Sequence, residues 1–237
     1  LKPVYWCASC ETALAEAEVE YADHTSASIY VRFKFNENDK KKVYSLINDG
    51  SDKNLFVVIW TTTPWTIPSN LAVCLNARLE YSIFEYQNER YIVATELLSN
   101  FLNDAEWKEE DIKVIGTVKG AEFENMSAFH PLYNRESLII LGDHVTLDAG
   151  TGCVHTAPGH GLEDWEVCQK YNIPTFSPLD SKGEWQKVDK FNFNDEDLIG
   201  VPYYKGNEIV IQKLEANKAL LKKQDITHSY PHCWRCK

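Results

Sequence analysis

The sequence predicts an α+β fold with a barrel-like sheet and surrounding helices. Short apolar or alternating runs recur from Ile29 to Thr156, and few stretches carry a helical period. Strands so close in sequence do not leave room for the strand–helix alternation of a doubly wound sheet. At 237 residues, 44% hydrophobic and 12% aromatic, the chain can bury one full core and carry a small appendage.

Taken in order, Ala13 to Val19 is rich in alanine and glutamate, and Glu18-Val19-Glu20-Tyr21 then alternates like a strand. Ile29, Val31, Phe33 and Phe35 mark one face of a half-buried strand. The polar run Asn36 to Lys42 reads as an exposed turn. Strands are expected at Leu55–Trp60, Leu71–Leu75, Tyr81–Tyr86 and Arg90–Thr95, with Gln87-Asn88-Glu89 turning between the last two. Thr95 is placed to cap a helix over Glu96–Leu102. Further strands fall at Ile112–Val118, Leu138–Leu141 and Cys153–Thr156, and a helix runs from Leu162 to about Tyr171. The polar and aromatic stretch Ser181–Val201 has no assignable period. Asn207–Leu221 reads as a helix, with Ile211, Leu214 and Leu221 on one face.

Seven cysteines include the pairs Cys7-x-x-Cys10 and Cys233-x-x-Cys236 near the two ends. Each pair supplies two thiolates from one tight turn, and together they make the four soft ligands of a closed structural zinc site. Sharing one ion requires the two ends to meet. The expected division is therefore a stalk from residues 1–20 and 226–237 around a main domain of residues 21–225. Two unrelated reduced pairs, or a redox disulfide, are the plainer alternatives. No apolar run spans a bilayer and the first residues lack a signal-peptide pattern, so a soluble cytoplasmic protein is expected. The net charge of −11 argues against a broad nucleic-acid surface, though not against recognition of one strand end.

Two loops concentrate chemistry. Thr61-Thr62-Thr63-Pro64-Trp65-Thr66-Ile67-Pro68-Ser69-Asn70 follows a buried-looking strand, and Gly152 to Trp165 carries two histidines, several glycines and Asp164. The two are expected to face each other across one pocket. Threonine hydroxyls at a strand end are free to bond a sugar or an ester, although threonine also simply suits a pleated surface. Trp65 offers a flat face to a base or packs on the rim, and Asn70 binds polar substrate groups or makes its own turn. His155 reads as a steric wall, a donor to substrate or a general base, with a satisfied wall histidine as the bland reading. His160, between glycines, reads as an exposed loop residue. Asp164 either caps free N–H groups or pairs with a cation such as an α-ammonium. A thiol nucleophile at Cys153 or Cys168 working with His155 is the weakest of these readings.

Taken together these residues resemble the editing domain of isoleucyl-tRNA synthetase. The resemblance covers essentially the whole chain, through Tyr5-Trp6-Cys7 with Glu11 to Glu18, the threonine-rich loop, the glycine-rich block to Asp164, and His228-Ser229-Tyr230-Pro231. The related valyl and leucyl enzymes carry Thr-Thr-Arg-Pro where this chain has Thr61-Thr62-Thr63-Pro64-Trp65. Membership implies hydrolysis of valine wrongly esterified to the isoleucine tRNA, in a pocket too small for isoleucine. These enzymes are themselves the worked case for the limit that one methylene sets on discrimination, so that logic is taken from them. By the same resemblance, Asp164 anchors the substrate α-ammonium and His155 lines the side-chain pocket. Thr61, Thr62 and Thr63 surround the ester and terminal ribose, and Trp65 and Asn70 belong to the editing loop. Cys7, Cys10, Cys233 and Cys236 match a structural zinc knuckle of some members, and no cofactor is needed for hydrolysis. The partners implied are the acceptor end of the isoleucine tRNA carrying valine and the rest of the synthetase chain, with no membrane and a monomeric fragment. The class I signatures His-Ile-Gly-His and Lys-Met-Ser-Lys-Ser do not occur, so amino-acid activation is not expected. The competing reading is a zinc-stabilised module that holds the acceptor end without hydrolysing it.

Overall fold

The computed structural model describes residues 2–236. The chain runs β1 (Tyr5–Cys7), β2 (Thr12–Leu14), β3 (Val19–Phe35), α1 (Glu37–Leu46), β4 (Leu55–Thr61), β5 (Ala72–Leu75), β6 (Glu80–Tyr86) and β7 (Glu89–Ala94). It continues with α2 (Leu98–Ala105), β8 (Lys113–Lys119), β9 (Ser127–Phe129), β10 (Glu136–Leu141), β11 (Val154–Thr156), α3 (Leu162–Lys170), α4 (Tyr203–Ala216) and β12 (Leu220–Cys233).

Ten strands form one sheet in the order β11-β5-β10-β9-β3-β4-β7-β6-β8, with β12 paired to β3. The pairs β10–β5 and β4–β7 are parallel and the others antiparallel. The mixed α and β composition matches expectation, but the barrel does not: among the described residues β11 and β8 end the order and do not pair with each other. Closure depends on strand number and stagger, which a run of short strands does not report.

Both faces of the sheet are covered, which is why β4 reads as a continuous apolar run instead of alternating. Val31, Phe33, Val57, Ile59, Ile83 and Ile92 join α4 in the main core. Tyr30, Phe56, Val58, Phe84 and Val93 form the other face, under Phe101 and Leu102 of α2. A third cluster puts Ala72, Cys74 and Ile140 beneath Val167 and Cys168 of α3.

Three local expectations are corrected. The run from Asn36 is not a turn but the start of α1: the Asn36 side chain accepts the Asp39 N–H at 2.9 Å, and Lys40 is buried between Glu37 at 2.6 Å and Asp52 at 2.9 Å. Its apolar anchors, Val43 and Tyr44, lie just past the charged run, which hid the helical period. Thr95 caps nothing; its hydroxyl bonds Ser82 at 2.9 Å in a 3₁₀ turn, and α2 begins at Leu98. The last helix spans Tyr203–Ala216, and Leu221 belongs to β12 because Lys218 takes a left-handed φ of 56° that ends it. The unassigned stretch after Ser181 is held by isolated bridges around Trp185, which is wholly buried.

β3 and β12 pair without interruption from Thr25↔Thr227 out to Val19↔Cys233, forming a two-stranded ribbon beyond the sheet. At its end β1 and β2 make a small hairpin beside Cys233 and Cys236.

Candidate functional site

Loop 61–70 leaves β4 and winds into a 3₁₀ segment over Pro64–Ser69. Pro64 suits its first turn, where a missing N–H costs nothing. The segment is fixed from beneath by two groups the sequence did not single out. His130 Nε2 donates to the Ile67 carbonyl at 2.9 Å, while His130 Nδ1 accepts from Leu132 and Tyr133. Arg135 donates to the Pro68 carbonyl and lies over Tyr133 and Phe176; burial pulls its pKa down to about 10.

His155 on β11 meets this loop directly. Its Nδ1 lies 2.8 Å from Asn70 Nδ2 and its Nε2 lies 2.9 Å from Thr66 Oγ1. The proton positions follow from the neighbours. The Asn70 amide nitrogen donates to the Ala72 carbonyl at 2.7 Å, and its oxygen accepts from Ser137 Oγ at 2.5 Å. Asn70 is therefore a donor to His155 Nδ1, the imidazole proton sits on Nε2, and Thr66 Oγ1 accepts it while donating to the Thr63 carbonyl at 2.9 Å. Burial, with His160 nearby, pulls the His155 pKa down to about 3. A neutral ring with its acceptor nitrogen already occupied is a wall and a donor, and a poor general base.

Thr61 Oγ1 lies 3.2 Å from Thr63 Oγ1, which lies 3.4 Å from Thr66 Oγ1, so Thr61, Thr63, Thr66, His155, Asn70 and Ser137 form one network. Thr62 stands outside it; its carbonyl accepts from Ser26 at 3.5 Å. Trp65 is held through its N–H on Asn207 Oδ1 at 2.9 Å, and its ring meets Tyr203 and His160, each at 5.0 Å. His160 is half-buried, against the exposed placement expected, because it reaches back to Ser69 Oγ at 2.9 Å; burial pulls its pKa down to about 4. The two loops thus meet by direct contact.

Asp164 is not hydrogen-bonded to this network among the described residues. It lies in the first turn of α3, and its Oδ2 accepts the Ala157 N–H at 2.8 Å across the intervening turn. Burial raises its pKa against that bond and the nearby His144. Ionised, it is a desolvated carboxylate with unused acceptor capacity. The turn it braces needs glycine: a Cβ on Gly159 would lie 2.1 Å from the Phe176 carbonyl oxygen. Gly159→Ala is expected to lower stability by about 3 kcal/mol, since backbone must move to make room, and denaturant unfolding reads the loss directly.

Cys153 and Cys168 are both buried, and burial raises both thiol pKa values, Cys168 to about 12. Neither suits a thiolate nucleophile. The ligand atoms of Cys7, Cys10, Cys233 and Cys236 lie within 4.8 Å of one another, with Cys7 and Cys236 sulfurs 3.3 Å apart. A tetrahedral Zn–S₄ centre with bonds of about 2.3 Å has sulfurs about 3.8 Å apart, so this donor set fits such an ion. The cluster docks on the body through Trp6 Nε1, which donates to Ser181 O at 2.7 Å, and Ser181 Oγ, which donates to Glu11 at 2.7 Å.

Thr66, Ser137, His130, Arg135, Tyr203 and Asn207 were not legible as site residues, because all but Thr66 reach the loop from a distant part of the chain. Thr66 alone had a local signal, its place inside the threonine-rich loop.

Residues 26–215 match the family model for the leucyl-tRNA synthetase editing domain. Over the whole chain the sequence is 52% identical to an isoleucine--tRNA ligase of Lawsonia intracellularis and 49% identical to one of Caldanaerobacter subterraneus, covering 24% of each relative. The chain thus spans about a quarter of the length of the relatives it matches. Among solved structures, GlLeuRS-CP1 superposes with a TM-score of 0.65 at 12% identity, covering 83% of this chain and 98% of that one. The P. knowlesi cytosolic leucyl-tRNA synthetase editing domain gives 0.61 at 13% identity, covering 86% and 97%. Among the described residues no helix is long and apolar enough to cross a membrane. The matched model, over most of the chain, leads to one conclusion: the chain belongs to the leucyl-tRNA synthetase editing-domain family, and within it is similar over its whole length to isoleucine--tRNA ligases.

Proposed function

We propose that this domain hydrolyses valine esterified to the isoleucine tRNA and rejects isoleucine by size. The observation that carries the reading is the buried neutral His155, locked between Asn70 and Thr66 at the junction of the two loops. A wall held on both nitrogens cannot retreat to admit a larger side chain, which is what exclusion of one methylene requires. Asp164 supplies the cationic contact: its desolvated carboxylate gains most from an α-ammonium. The hydroxyls of Thr61, Thr62 and Thr63 hold the ester and terminal ribose, with Trp65 and Asn70 shaping the loop.

In the reaction, water attacks the ester carbonyl and the bond to the ribose oxygen breaks; one proton of the water passes to the ribose oxygen, the other is released to solvent, and valine leaves as a carboxylate. The ester is already activated, so positioning of water by the threonine hydroxyls and the ribose hydroxyl is the contribution required. His155 excludes and does not take the proton, since both of its nitrogens are engaged. The partners are the acceptor end of the tRNA and the remainder of a cytoplasmic synthetase; the isolated chain is a monomer.

The deciding experiment is single-turnover deacylation of valyl- and isoleucyl-charged isoleucine tRNA by this chain. Fast valine release with slow isoleucine release supports the reading. Binding of the charged end without release of either amino acid would replace it with a holding module.

Zinc is the ion proposed for the four cysteines, as a structural brace that ties both ends of the chain together. Metal analysis is expected to find one zinc per chain, and Cys236→Ser to remove it and lower the melting temperature. Deacylation at saturating substrate is expected to change by less than about twofold, since an ion with four protein ligands keeps no open position for water.

A further inference from the structure

We propose that the histidine and tyrosine face of the β3–β12 ribbon is a stacking surface for the single-stranded end of an RNA whose last residue occupies the Trp65 loop. The proposal rests on the reading above that the site takes an RNA end, and adds the path by which the end arrives. Antiparallel register puts Ala22 opposite Tyr230, His24 opposite His228 and Glu20 opposite His232, so these side chains share one face. Their rings form a continuous group. His24 lies 5.3 Å from Tyr230, 6.5 Å from His228 and 6.2 Å from His232, and Tyr230 lies 5.8 Å from both His228 and His232.

Two observations join this face to the candidate site. Trp65 stands beside the Tyr230 hydroxyl, and its own ring meets Tyr203 at 5.0 Å. His228 Nε2 lies 3.0 Å from Ser26 Oγ, whose hydroxyl donates to the Thr62 carbonyl at 3.5 Å. The ribbon face therefore meets the Trp65 loop, where the Trp65 ring continues to His160 at 5.0 Å. Charge is divided to match. On a chain of net charge −11, Asp23 and Asp225 turn to the opposite face of the ribbon, and Glu20 alone of its three carboxylates shares the aromatic face, at the end farthest from the sheet. His24 is exposed, and His228, Tyr230 and His232 are half-buried, so the rings present edges and faces to solvent. Rings on a carboxylate-poor strip suit bases of a single strand, whose stacking tolerates any sequence.

The test measures fluorescence anisotropy of a labelled single-stranded oligoribonucleotide with a free 3′ ribose, on this chain and two double variants. His24→Ala with His228→Ala is expected to weaken binding at least about fivefold, and His24→Phe with His228→Phe to retain it, because the phenyl rings keep the stacking surface. On charged tRNA the alanine pair raises KM and leaves kcat unchanged. Circular dichroism melts confirm that both variants fold. Unchanged oligonucleotide affinity in the alanine pair overturns the proposal, as does a wild-type chain that binds no oligonucleotide. A change in sedimentation without a change in affinity overturns it too and assigns the face to a second copy of the chain. Failure of the editing reading looks different: His24- and His228-dependent RNA binding with neither ester hydrolysed.

Discussion

Asp164→Ala is expected to lower kcat/KM for valyl ester hydrolysis by at least about 100-fold, because a charge-assisted contact to the substrate ammonium is lost along with its orienting effect. Its stability effect should be small or favourable at neutral pH. Burial raises the Asp164 pKa in the folded chain, so its contribution to stability is present below the unfolded value near 3.9 and is lost as pH rises through the folded value. At pH 7 the ionised carboxylate is thus held at a cost, offset in part by the Ala157 N–H at 2.8 Å. Asp164→Asn keeps an acceptor for that N–H and removes the charge. Equal melting temperatures with deacylation lost in both variants would assign Asp164 to the substrate; deacylation retained in either would reject the anchor role.

His155→Ala is expected to open the pocket to isoleucine. The wild-type preference for the smaller ester, of the order of 10- to 200-fold for one methylene, should collapse toward unity in single-turnover deacylation of the two charged tRNAs. Preserved discrimination would place the size filter elsewhere. The variant should also lose about 2 kcal/mol of stability, since Asn70 and Thr66 are left facing a cavity. The pH profile gives a second readout. With a folded pKa of about 3 against about 6.5 unfolded, His155 contributes stability that is present above pH 6.5 and falls away as pH drops toward 3. His160, at about 4, acts in the same direction. Melting temperatures of His155→Ala should therefore fall less steeply between pH 6.5 and 4 than those of the wild type.

The candidate site also explains its own rigidity. Loop 61–70 carries two prolines, and its carbonyls at Ile67 and Pro68 are held by the buried His130 and the half-buried Arg135 from the segment after β9. That arrangement spends buried polar groups on fixing a loop, the usual requirement of a site that discriminates by shape.

Composition and local pattern alone determined the mixed α and β class, most of the strands and the two C-x-x-C pairs, because each rests on residues close in sequence, and the family came from the resemblance of whole motifs. Tertiary structure alone decided the rest. Asn36 to Lys42 became a helix because Val43 and Tyr44 beyond it find the core, and the sheet stayed open because closure is a property of all its strands together. His155 reads identically as wall, donor or base until Asn70, oriented by Ala72 and Ser137, puts the proton on Nε2. A protonation state belongs to the partners a group meets in space, and those partners come here from β5, β10 and the 3₁₀ loop, too far along the chain for any local pattern to join them.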